Sequence, residues 1–127
     1  MRIVFALALF ISGSFAAMTQ GIPGQPLVPL GSCQLSPTTA TKLSTCIGAW
    51  NGAAGGIPAG ANAVVIRTDT QPVRYTDDGV VVPTASIGNP ILVADPPLYY
   101  QGPLANLQFI QTASAAKLNI LFYKAPQ

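Results

Sequence analysis

Proline and glycine punctuate this chain so densely that turns, not long helices, govern what it can fold into. Twelve of each occur in 127 residues, and neither is well tolerated inside a helix. Between them stand short runs rich in β-branched and aromatic residues, the composition of strands. These runs cover residues 38–47, 63–68, 72–76, 80–82, 90–94, 98–100, 104–112 and 118–123. Roughly seven short strands with turn signals every 8–12 residues or so predict an all-β domain. The expected architecture is a small single-domain β-sandwich, jelly-roll or immunoglobulin-like, with a small barrel as the alternative.

Period-two alternation assigns faces within these runs. Val64, Ile66 and Thr68 share one face, with Ala63, Val65 and Arg67 on the other. Leu107, Phe109 and Gln111 oppose Gln108 and Ile110. In the last run Leu118, Ile120 and Phe122 face one way, and Asn119, Leu121 and Tyr123 the other. Asp77, Asp78 and Gly79 read as a hairpin turn joining 72–76 to Val80, Val81 and Val82, because Asp-Gly between strand patterns supplies the positive φ of a tight turn. Arg74 then reads as a partner of Asp77 or Asp78 across that hairpin, or as a group that contacts a carboxylate or glycan on a partner.

The first sixteen residues read as a secretory signal. Arg2 gives a minimal positive region, Ile3 to Ile11 is apolar, and Ser14 and Ala16 are the small residues a signal peptidase selects. Cleavage is expected after Ala16. The apolar run is too short for a stable membrane span, which needs about 20 residues. Residues 17–37 follow as a Pro/Gly-rich arm with Pro23, Pro26, Pro29 and Pro37, and the sandwich is expected over 38–127. Cys33 and Cys46 are the two cysteines. In an oxidising compartment they would form a disulfide, worth on the order of 3 kcal/mol through loop closure.

The chemical inventory argues against an enzyme. The chain has no histidine and no glutamate, and its four acids are Asp69, Asp77, Asp78 and Asp95. A Ser-His-Asp or Cys-His site therefore lacks its base. Asp77 and Asp78 are adjacent, which suits a turn better than a two-carboxylate hydrolase, and two acids are few for calcium. No zinc ligand set and no cofactor motif is present. The Gly-rich stretch 51–56 lacks the Lys-Ser/Thr ending of a phosphate loop. Charged residues make up 8% of the chain and the net charge is +2, too little and too scattered to imply nucleic acid. What remains is binding through apolar surface. Both faces of the last run carry large apolar groups, so one face is expected to meet another subunit or to lie under the N-terminal arm. Leu121, Tyr123, Tyr99 and Tyr100 are the candidate interface residues.

Residues 57–124 also carry an ordered set of short motifs. Ile57-Pro58-Ala59-Gly60-Ala61 is followed by Val73-Arg74-Tyr75-Thr76-Asp77-Asp78-Gly79 and Pro83-Thr84-Ala85-Ser86-Ile87-Gly88. Tyr100-Gln101-Gly102-Pro103-Leu104, Phe109-Ile110 and Leu118-Asn119-Ile120-Leu121-Phe122-Tyr123 complete it. This order resembles a group of small tailed-bacteriophage proteins that are taken as virion-associated. The resemblance implies a β-sandwich component of a particle, such as a decoration, head-fibre or tail-associated subunit, located in the virion. It implies other virion subunits or further copies of the chain as partners, and no catalytic residue. Val80-Val81-Val82 stands where that group has a shorter stretch, and the signal-like N-terminus departs from it. The alternative is an exported binding or adhesion module, periplasmic or extracellular, held by the disulfide.

Overall fold

The computed structural model describes residues 26–46 and 56–127. Within them the chain is all-β, with eight strands in two four-stranded antiparallel sheets. The strands are β1 (Val28–Leu35), β2 (Thr41–Lys42), β3 (Ala63–Thr68), β4 (Val73–Thr76), β5 (Asn89–Ile91), β6 (Leu98–Gln101), β7 (Gln108–Gln111) and β8 (Leu118–Lys124). Short 3₁₀ turns, Leu43–Thr45 and Leu104–Asn106, follow β2 and precede β7.

The pairing is nested: β1 with β8, β2 with β7, β3 with β6 and β4 with β5. The domain is thus one long antiparallel ribbon folded at the β4–β5 connection. Rolling that ribbon also brings β8 beside β3 and β7 beside β4. The resulting sheet orders are β1-β8-β3-β6 and β2-β7-β4-β5. This is a jelly-roll sandwich of eight strands in two sheets, not a closed barrel.

Sheet alternation puts the apolar residues between the two layers. The first sheet contributes Val64, Ile66, Leu118, Ile120 and Phe122, and the second contributes Val73, Ile91 and Phe109, all buried. Leu43, Leu104 and Leu107 close the core from the 3₁₀ turns. Burying each such side chain contributes about 1.5–3 kcal/mol. The faces read from alternation in 63–68 and 118–123 are the ones observed.

Three elements differ from the sequence reading. Val28–Leu35 is not part of a loose arm but the edge strand of the first sheet, paired along its length with β8. Pro29 and Gly31 hide this strand from a propensity reading. Both are accommodated because the strand lies at an edge and the register shifts between them, where a missing N–H and an irregular backbone are tolerated. The run 38–47 supplies only the two-residue β2 before turning into 3₁₀ backbone. Val80, Val81 and Val82 form no strand, and β4 pairs instead with β5 after a twelve-residue excursion over 77–88.

Cys33 and Cys46 form the expected disulfide, with Cα atoms 6.1 Å apart and both residues buried. It ties β1 of the first sheet to the segment just after β2 of the second, so it joins the two layers of the sandwich. No helix among the described residues is long and apolar enough to cross a membrane. The signal-like residues 1–16 and the Gly-rich residues 51–55 lie outside the described residues.

Candidate functional site

The outward face of the first sheet is fixed by strand register. Residues directly opposite in an antiparallel pair share a face. Register therefore aligns Ser32, Leu121, Val65 and Tyr99 in one row across all four strands. A second row holds Pro29, Tyr123, Ala63 and Gln101, and a third holds Gln34, Asn119 and Arg67. The middle of the first row is apolar. Leu121 is 44% exposed and Tyr99 is 47% exposed, with half-buried Val65 between them. Tyr123 is half-buried and stands beside Ala63, which is fully covered although it faces outward.

Polar contacts frame this strip. The Gln34 amide donates to Asn119 Oδ1 at 3.1 Å, and the Tyr99 hydroxyl donates to Gln101 Oε1 at 3.2 Å. Within the strands the only charge on this face is Arg67, at one end of it. The strip is a continuous apolar surface with a polar rim, the anatomy of a protein contact.

Of the four candidate interface residues, the structure brings Leu121, Tyr123 and Tyr99 to this face. Tyr100 is not on it. Its register places it opposite Val64, so its ring turns inward and packs against the core. Consecutive residues of a strand cannot share a face, and Tyr99 and Tyr100 divide accordingly. Val65 was missed as an interface residue. Alternation put it opposite Val64, but only the placement of β3 between β8 and β6 makes it the centre of the strip.

The buried ends of Tyr75 and Tyr100 meet near Asp77. Burial raises the pKa of both phenols, and the Asp77 carboxylate raises each further. Tyr75 also packs against Phe109, with ring centroids 6.4 Å apart. The Asp77 side chain thus belongs to a tyrosine cluster.

Asp78 and Gly79 form the bend after β4. Asp78 Oδ1 accepts the amides of Val80 and Val81, both at 2.9 Å. These two bonds, the Val80 one foremost, hold the carboxyl below its ordinary pKa. Gly79 takes a φ of 73°, which a residue with a Cβ adopts at a cost. Arg74 does not reach across to either aspartate. Its Nε donates to the Ala85 carbonyl at 3.0 Å and its Nη1 to the Gly88 carbonyl at 2.8 Å. Thr76 adds a bond to the Val81 carbonyl at 2.7 Å. The loop 77–88 is therefore strapped against the outer side of β4. Its Val80 and Val82 remain exposed.

Among the described residues no group of three or more His, Cys, Asp or Glu side chains comes together. No family model matches the chain, and neither does any curated protein or solved structure.

Proposed function

We propose that this chain is a non-catalytic structural subunit of a tailed-phage particle, a decoration, head-fibre or tail-associated component that works by surface burial. The observation that carries this reading is the apolar Leu121–Val65–Tyr99 strip on a sheet face with a single charge at its end. A strip of that kind on a chain with 8% charged residues is covered in use by another subunit. Two further features support it. The motif order that resembles phage virion proteins runs from just before β3 to the end of β8. The jelly roll is an architecture found in viral capsids and lectins, although a fold by itself does not assign a function. An imidazole base is absent from the whole sequence, and Asp77, Asp78 and Asp95 are occupied by turns and by the tyrosine cluster.

The disulfide supports a second reading, an exported binding or adhesion module, because such bonds persist in oxidising compartments. Mass spectrometry of purified particles from the source system, including the N-terminal peptide, separates the two. The virion reading expects the protein in stoichiometric amounts. Recovery only from the cell envelope, with a chain starting at Ala17, would overturn it in favour of the exported module.

A further inference from the structure

The sequence entering β1 carries Pro23 and Pro26, spaced three residues apart. Polyproline II has three residues per turn and no internal hydrogen bonds. In that conformation this spacing would line the two rings along one edge and leave the backbone carbonyls free to accept.

The sandwich contains a cleft suited to such an edge. It lies at the seam where β5, an edge of the second sheet, meets β6, an edge of the first, and its volume is about 380 Å³. Tyr75 and Tyr99 provide aromatic walls, Pro90, Pro96 and Pro97 extend them, and the exposed Asn89 offers an amide donor at the mouth. Aromatic-lined grooves with a few polar donors are how folded domains take polyproline II segments.

We infer that this cleft binds the Pro23–Pro26 segment of a second copy of the chain. The occupant comes from another copy because Pro26 is already placed elsewhere in its own. Pro26 lines a separate cavity of about 640 Å³ with Val28, Asn62 and Lys124, where β1 begins. Register puts Val28 level with Lys124, and Leu98 level with Ile66 and Ile120. The cleft is thus three strands across and about four residues along the sheet from the start of β1. At ordinary strand spacings that is about 20 Å. A segment containing Pro26 cannot occupy both places in one molecule. Each copy gives an arm to one neighbour and receives one from another, a head-to-tail contact that builds rings or rows. This inference rests on the reading of the chain as a multi-copy subunit, and it supplies a second contact, centred on the β5–β6 seam, that adjoins the sheet face at Tyr99.

Complementation between full-length variants tests it. Pro23→Ala/Pro26→Ala removes the arm's ring edge, and Asn89→Arg obstructs the mouth of the cleft, with Asn89→Ala as a milder companion. Circular dichroism checks that each retains the fold. Sedimentation is expected to show at least about a tenfold weakening of self-association for the arm variant and for Asn89→Arg alone. An equimolar mixture of those two is expected to form heterodimers, since it restores one intact arm and one intact cleft. Wild-type association by either variant, or no heterodimer on mixing, would overturn the inference. A concentration-independent change in tyrosine fluorescence on removing the prolines would also overturn it, since the arm would then bind within one molecule. Leu121→Asp, run in parallel, reports on the sheet face: its loss of association beside a normal arm variant leaves the subunit reading standing and the cleft inference refuted.

Discussion

Asn62 does more for this fold than its place in a loop implies. Its side-chain amide donates to the Ala125 carbonyl at 3.0 Å, and its Oδ1 accepts the Ala125 amide at 2.6 Å. The side chain thus imitates one more pair of the β3–β8 ladder and fastens the end of β8. Asn62→Ala leaves both Ala125 groups partly buried without these partners. The expected cost is about 1–3 kcal/mol, read from chemical denaturation, with fraying of β8 visible by hydrogen exchange. Asp77 has an electrostatic role instead. Burial of the phenols, and after it the Asp77 charge, favours neutral Tyr75 and Tyr100. Phenols whose folded pKa is raised contribute stability below the ordinary tyrosine range, and this is lost as pH rises through their folded values. Asp77→Asn is therefore expected to move two of the four tyrosines to earlier ionisation in an alkaline phenolate titration. An unchanged titration would contradict the cluster. At this scale the sequence was readable where period two governs, as for Leu118, Ile120 and Phe122. Asn62 was not readable, because a side chain that replaces a ladder bond leaves no periodic trace.

The loop 77–88 shows why elements are harder to read than faces. An Asp-Asp-Gly bend followed by three valines has the composition of a hairpin, and local propensity favours a returning strand. The chain instead passes those valines by, because Arg74 and Thr76 bind the carbonyls of Ala85, Gly88 and Val81. Tertiary bonds to the loop replace ladder bonds that a return strand would make. Gly88 sits where the loop rejoins β5, with φ of 119° and room for no Cβ, since one would lie 2.9 Å from the Tyr75 carbonyl. Arg74→Ala is expected to release the loop while the sandwich persists. The readout is faster amide exchange across 79–88 with β3 and β8 still protected; unchanged exchange in the loop would refute the strap. Acid acts on the same element through Asp78. Its depressed pKa means that the ionised form is bound by the Val80 and Val81 amides. That contribution is present above the ordinary carboxylate range and is lost as pH falls through the depressed value. The amide resonances of Val80 and Val81 are expected to titrate with a midpoint below that of an unperturbed aspartate. The strand β1 was hidden for a related reason: proline and glycine forbid a central strand, but they do not forbid an edge.

At the scale of the whole molecule, composition disclosed the class and pairing completed it. Turn spacing and alternation lead to a β-sandwich, yet nothing in a period of two says that β1 meets β8. That pairing joins residues from the two ends of the described chain and creates the sheet on which Leu121, Val65 and Tyr99 converge. Leu121, Tyr123 and Tyr99 were legible as outward-facing candidates, whereas Tyr100 turns inward, Val65 was missed, and the shape of the strip was not readable. Because three of these side chains act as one surface, a charge placed within the strip should abolish its use without disturbing the core behind it. Leu121 points away from that core, so Leu121→Asp should cost little stability. The most direct measurement is the amount of this protein in purified particles when the source phage carries wild-type or Leu121→Asp chain. The expected result is stoichiometric wild-type protein and a folded variant absent from the particles. Incorporation of the variant at the wild-type level, or absence of the wild-type chain itself, would contradict a structural role exerted through this face.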